Sequence, residues 1–396
     1  MILTLLLGLF IGKALMAGAM IVLAGHAVIN TSVLRYIKQY ASSRAMLCFL
    51  ALPISYVIAS IIHQDGWQVL GVIKSKLPLL FFPFAVFAFN DYLTKKHYQF
   101  FLHFLVLLVC IASTYSWFFL IRDFNAINNS YLKASTMPTF ISHIRFSLLI
   151  AFSLIWCLHA YFNDSILRYK SEKKVLLILF LYLFITLHIL AVRSGLVAFY
   201  ISFLVYASSY YIQQKKWRQL LITFTILVFG FMLMYSTIPS LQNKIKYSVY
   251  DWELFVTNTE LKNISDGKRF AAFEAAYSIF KNNLWAGVGL PNVKREINSY
   301  FTVHYVSLKN EYLDAHNQFL NTSVAAGIFG LVGLLVTLFG CILYSHLKQS
   351  LLARAFVSIM FLSFLVESTL ESQLGLTIFI VLYLLIYKLE EVIHNE

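Results

Sequence analysis

Charge is scarce in this chain, and negative charge is scarcer. Only 12% of the 396 residues are charged, and 18 Asp and Glu stand against 31 Lys and Arg. A soluble domain carries roughly 25%, so an ordinary soluble fold is excluded. The four cysteines, Cys48, Cys110, Cys157 and Cys341, all fall inside apolar stretches, and no CxxC occurs. That spacing gives neither a disulfide framework nor a zinc site, and the cysteines read as small buried hydrophobes. There is no P-loop, no dinucleotide fingerprint, no repeat of 20–50 residues and no low-complexity tract.

What is present is hydrophobic, at 60% of residues. Apolar runs long enough to cross about 30 Å of hydrocarbon recur along the chain. They are continuous rather than alternating, which selects a helical bundle over a β-barrel. The spans read as 2–29, 43–62, 77–90, 98–120, 144–162, 174–192, 195–212, 218–238, 317–344, 354–370 and 373–388. The first is one long helix or a tight hairpin around Lys13, giving eleven or twelve spans. The N-terminus lacks a basic leader and a small-residue cleavage site, so it reads as a retained span. The expected organisation is one integrated domain: an N-terminal bundle (1–238), a large loop (239–315) and C-terminal helices (316–396).

Basic residues sit in alternate turns: Arg35, Lys38 and Arg44; Lys95 and Lys96; Arg168, Lys170, Lys173 and Lys174; Lys215, Lys216 and Arg218; Lys348 and Arg354. These turns share a face, and the basic bias makes it cytoplasmic. The formal net charge of +13 therefore needs no nucleic acid. The opposite face receives 63–76, 121–143, the Arg193–Ser194 turn and the long loop from Pro239 to Ala315.

That loop contains a helix signal. Ser265 or Asp266 is an N-cap candidate for a helix to about Lys281. Phe270, Phe273, Ala276, Tyr277 and Phe280 form its apolar face, for packing on the bundle or the membrane surface. Asn282 and Asn283 end it, and Gly287-Val288-Gly289-Leu290-Pro291 makes a turn.

The outer face also gathers cations that the positive-inside bias does not predict: Lys74 and Lys76; His143 and Arg145; Arg193; Lys268 and Arg269; His316. Arginine forks suit phosphate oxygens, and helix N-termini add free N–H groups and a positive dipole end. Arg269 and His316 lie near expected helix starts, and Asp314 is positioned to cap the helix carrying His316 and Asn317. Taken singly, Arg145 and Arg193 read first as side chains snorkelling to headgroups, Lys74 and Lys76 as helix anchors, and His316 equally as an interfacial polar residue. One acidic ligand would account for several of them together. Glu367 and Glu371, at i and i+4, would share a helix face and hold the arginines by ion pairing; solvated residues at a helix end are the alternative. Asp251-Trp252-Glu253 is a weak cation-binding signal and reads as surface carboxylates.

At these residues the chain resembles the O-antigen ligase and polymerase-like membrane glycosyltransferases. The resemblance is carried by Val192-Arg193-Ser194-Gly195, Gly267-Lys268-Arg269, Asn282-Asn283-Leu284 with Gly287-Val288-Gly289, and Ala315-His316-Asn317-Gln318-Phe319-Leu320 followed by Ala326-Gly327-Ile328-Phe329-Gly330. His143-Ile144-Arg145-Phe146-Ser147 and Leu370-Glu371-Ser372-Gln373-Leu374-Gly375 also look related. Phe273 stands where relatives often show tryptophan, and Asn283 where proline is common.

The resemblance implies an inverting, metal-independent transferase of GT-C-like fold, without a cofactor, in the bacterial inner membrane with its site facing the periplasm. Its donor would be a glycan on undecaprenyl pyrophosphate. Its acceptor would be the lipid A core for a ligase or another lipid-linked repeat for a polymerase; protein O-glycosylation would share the donor. Arg193 and Arg269 would hold the pyrophosphate, His316 would work at the transfer centre, and Arg145 would add to the clamp. The remaining outer-face residues His143, Lys74, Lys76, Lys268, Asn317 and Glu371 are candidates for substrate binding. A lipid-linked glycan transporter is the competing class, although transporters usually place binding charges near the midplane and show two related halves.

Overall fold

The computed structural model describes all residues except 91, 134, 164, 165, 168, 170, 258–264 and 396; the side chains of 68, 69, 72, 73, 90, 255, 265 and 395 are likewise not described. Arg168 and Lys170, two of the basic turn residues, lie outside the described set. The described residues contain helices and no strand.

The first apolar run breaks into α1 (Ile2–Ile11) and α2 (Lys13–Ile29), joined at Gly12. It is a packed hairpin rather than one span, since α1 rises only about 15 Å. After α3 (Val33–Ser42) and α4 (Arg44–Leu47), the membrane helices are α5 (Ala51–His63), α6 (Gln68–Asn90) and α7 (Lys95–Arg122). Then come α8 (Phe124–Ser130), α9 (His143–Phe162), α10 (Glu172–Leu190), α11 (Arg193–Gln213) and α12 (Trp217–Thr237). The loop supplies α13 (Pro239–Val256), α14 (Ser265–Asn282) and α15 (Val293–His304). The chain closes with α16 (Gln318–Leu343), α17 (Leu351–Val366) and α18 (Gln373–Asn395).

Among the described residues seven helical stretches are long and apolar enough to span a membrane, or eight if the α2–α3 pair, bent by 104°, counts as one. That number covers the described residues alone: α6 and α18, both expected as spans, contain side chains that are not described, and α1 and α17 are shorter apolar helices. Lys74 and Lys76 sit inside α6 rather than ahead of it. Most boundaries fall within two or three residues of the sequence reading.

α9 is the central post. Its residues from Phe146 to Cys157 are all buried, so every face packs on protein, as for a helix apolar all round. It lies close to α11 because Gly195 has no side chain: a Cβ there would come within 2.3 Å of Ser147.

The second organising feature is a break in α16. Ala326 and Gly327 leave helical geometry, with Gly327 at φ 61°. The Gly287–Gly289 turn docks there: Val288 N–H donates to Val324 O (2.8 Å), Gly289 N–H to Ala325 O (3.1 Å) and Ile328 N–H to Leu284 O (2.7 Å). Backbone groups freed by the break are thus satisfied inside the protein, as hydrocarbon requires. The two glycine motifs, forty residues apart in sequence, form one joint.

α14 spans nearly the expected residues, but its buried face differs. Ala271, Ala272, Ala275 and Ala276 are fully buried, while Phe270 and Tyr277 are exposed. The small face lets α14 approach α16 closely, with Phe270 and Tyr277 left on its outer side and Phe273 and Phe280 half-buried.

Candidate functional site

Three helices begin at one cavity. α10 ends at Leu190, with Ala191 in the left-handed region (φ 48°) and its N–H on Leu187 O. Val192 is extended, so Arg193 opens α11 after a two-residue turn. His143 opens α9 and places Arg145 in its first turn. α14 starts at Ser265, with Asp266, Lys268 and Arg269 in its first turns. A cavity of about 350 Å³ is lined by His143, Arg193, Lys244, Asp266, Arg269 and Phe273, among others. Helix N-termini add a positive field to that of the side chains.

Two acidic residues hold the guanidiniums in place. Asp266 takes the Arg193 fork at both oxygens (2.5 and 2.7 Å), and Ser248 Oγ accepts a third bond at 3.0 Å. Glu367, with 10% of its side chain exposed, bridges Arg269 Nη2 at 2.7 Å and Arg145 Nη1 at 3.5 Å. Glu367 and Glu371 do not share a helix face, because α17 stops at Val366 and Glu367 is extended. Glu371 instead meets Lys76 at 2.9 Å, and Gln318 Nε2 donates to its other oxygen at 3.0 Å. The Lys76 side chain is 1% exposed, so it is a buried partner rather than an interfacial anchor.

His316 stands just before α16 in the left-handed region, φ 47°, a conformation that costs a non-glycine residue energy. Asn317, not Asp314, caps the helix: its Oδ1 accepts from Leu320 N–H at 3.0 Å, while its Nδ2 donates to Leu365 O at 2.9 Å. Asp314 pairs with Lys294 at 3.1 Å. Burial is the largest influence on the His316 imidazole, pulling its pKa below the usual value of 6.5; Glu367 opposes this, Arg269 reinforces it, and Asp314 and Arg145 act more weakly. The ring is therefore neutral at pH 7 and available as a proton acceptor.

The structure thus groups Arg193, Arg269 and His143 around one space; Arg145 joins them only through Glu367, and His316 feels the charges of Glu367 and Arg269. Lys76 and Glu371 form a neighbouring cluster. Lys268 turns away to Glu311 at 3.0 Å, and Lys74 is exposed; neither reaches the cavity wall.

Lys244 was missed in the sequence. It lies on α13 and is 8% exposed, and burial followed by the nearby Arg193 lowers its pKa to about 8. The available signal was the helical spacing of Leu241, Lys244, Tyr247, Ser248 and Asp251, a polar stripe whose members other than half-buried Ser248 are buried. Asp251 is fully buried rather than on the surface, and its Oδ2 accepts the Asp266 N–H at 3.0 Å. Glu253 is exposed, so the two acids of that tripeptide diverge and form no chelating pair.

Residues 178–335 match the family model described as O-Antigen ligase. That stretch includes Arg193, Lys244, Arg269 and His316, and leaves Arg145, Glu367 and the Lys76–Glu371 pair outside it. No curated protein matches the chain.

Proposed function

We propose, from the match of residues 178–335 to the O-Antigen ligase model, that the chain is a metal-independent, inverting glycosyltransferase of the O-antigen ligase/polymerase type. It moves a glycan from undecaprenyl pyrophosphate to the lipid A core at the periplasmic face of the inner membrane. The observation that carries this reading is the cavity where Arg193, Lys244 and Arg269 meet beneath three helix starts.

Diphosphate is already a good leaving group. Guanidinium and helix-end N–H groups stabilise the charge that develops on it as the glycosidic bond breaks, and fixed donors do this without reorganising. Arg193 keeps 40% of its side chain exposed despite its pairing, so its outward N–H groups remain accessible to phosphate oxygens. Arg269, held by Glu367, presents a second fork. The acceptor hydroxyl oxygen attacks the anomeric carbon from the opposite side, which inverts configuration. The hydroxyl proton passes to neutral His316, and undecaprenyl diphosphate departs.

The prenyl tail has a natural course. An apolar groove of about 610 Å³ runs between α10, α11 and α12, lined by Phe184, Phe199, Phe203 and Met234 among others. α11 carries both this wall and Arg193.

The test is purified protein given lipid-linked glycan and core glycolipid in excess chelator. Covalent transfer with inverted anomeric configuration is expected; transport without transfer, or a strict metal requirement, contradicts the reading. A deletion strain separates ligase from polymerase. Unattached lipid-linked polymer is expected here, whereas a polymerase loss leaves single repeats.

A further inference from the structure

A second cavity, of about 370 Å³, lies beside the first turns of α16. Its wall includes Tyr56, Ser75, Lys294, Asp314, Asn321 and Glu371. That volume falls within the range of small-molecule sites, about 300–1,000 Å³. We propose that this second cavity is the acceptor subsite, binding a neutral, hydroxyl-rich sugar, an assignment that rests on the transferase reading above.

The chemistry of the wall separates it from the first cavity. Its lysine and a neighbouring one are already matched: Lys294 to Asp314 at 3.1 Å, Lys76 to Glu371 at 2.9 Å. The second lining sets one lysine, Lys294, against two carboxylates, Asp314 and Glu371, a net negative charge that repels a diphosphate, whereas in the first Arg193, Lys244 and Arg269 face Asp266 alone. A sugar gains more, because each hydroxyl both donates and accepts, and carboxylate, amide, phenol and ammonium groups offer both complements. The wall is also built rather than incidental. Gln318, fully buried behind it, braces Glu371, donating to its Oε1 at 3.0 Å and accepting the Leu370 N–H at 2.8 Å. Tyr56 Oη meets Thr322 Oγ1 at 3.2 Å. Leu290 and Pro291 of the docked glycine turn close one side.

His316 links the two spaces. Asp314, two residues before it, lines the second cavity, and the next residue, Asn317, donates to Leu365 O at 2.9 Å, beside Val366 in the wall of the first. An acceptor hydroxyl reaching out of the second cavity meets the donor's anomeric carbon beside this imidazole. The new C–O bond forms there, the bond to diphosphate breaks, and the proton is taken by His316.

The experiment uses two variants of the full chain. Gly71→Trp fills the cavity from α6, where an added Cβ meets nothing within 4 Å. Asp314→Asn removes one acceptor of hydroxyl protons. The probes are the core glycolipid and the lipid-linked glycan fractions extracted from the deletion strain. In both variants KM for the glycolipid rises about tenfold or more, equivalent to about 1.4 kcal/mol of lost binding, while KM for the lipid-linked donor stays within about twofold. An unchanged glycolipid KM, or a rise confined to the donor, overturns the subsite and leaves the transferase standing. If the wild-type protein joins nothing from these two fractions, the transferase reading itself fails, and the subsite with it.

Discussion

Replacing Glu367 by glutamine removes the negative charge shared by two partly buried guanidiniums. The carboxylate is 10% exposed, Arg145 12% and Arg269 28%. At an effective dielectric of about 20, contacts of 2.7 and 3.5 Å correspond to roughly 6 and roughly 5 kcal/mol of attraction before desolvation. Desolvation offsets several kcal/mol per ion, so the intact triad contributes little net stability. Breaking it is another matter: an uncompensated buried charge costs about 3–5 kcal/mol. Glutamine keeps one carbonyl acceptor, which puts the expected loss at about 3 kcal/mol. Unfolding by SDS titration in mixed micelles measures it. The mechanism is checked by a double-mutant cycle with Arg145→Met. If the cost comes from orphaned charge, Arg145→Met is less harmful in the Glu367→Gln background than alone, with coupling of at least about 1 kcal/mol. Effects that add to within about 0.5 kcal/mol would refute the shared-charge argument.

Three further outcomes follow. A neutral His316 acting as base makes kcat/KM fall on acidification through a pKa below 6.5; Glu367→Gln removes a charge that raises that pKa, so the acid limb moves to still lower pH, and an unmoved limb would exclude His316 as the titrating base. Lys244, with its pKa lowered to about 8, loses its proton as pH rises through that value, so donor KM increases in alkali; Lys244→Gln abolishes this dependence while starting from a higher KM, and a persistent dependence would assign it elsewhere. Gly327→Ala strains the break in α16, because φ is 61° and a Cβ would lie 2.2 Å from Trp285 O; about 1–3 kcal/mol of stability is lost, and wild-type unfolding would show that the joint yields freely.

Much of the architecture was legible because hydrocarbon tolerates so few solutions. Continuous apolar runs dictated helices, and α7 and α9 to α12 begin and end within three residues of their expected limits. What failed was local. A ten-residue apolar run looks the same whether it spans or folds back, and the hairpin at Gly12 depends on close packing that composition does not encode. The apolar face of α14 follows from the helical spacing of Phe270, Phe273, Ala276, Tyr277 and Phe280; of these only Ala276 is fully buried, because close approach to α16 favours alanine. Around the site, the cations with arginine or histidine character were visible as exceptions to the charge bias. Of their partners, Glu367 was legible as a carboxylate that pairs with arginines, as it does with Arg269 and Arg145; Asp266 and Asp251 were not, since they acquire meaning only once segments distant in sequence meet. Lys244 was hidden for the same reason: its stripe on α13 is polar, so hydrophobic periodicity passed over it.

The central claim is that outward-facing cations converge on a diphosphate leaving group beside a histidine. The most direct measurement is the glycolipid profile of a deletion strain carrying Arg193→Ala, Arg269→Ala or His316→Ala, each confirmed to insert in the membrane. Loss of glycan attachment with accumulation of the lipid-linked donor in all three is expected; normal attachment in all three would contradict the account.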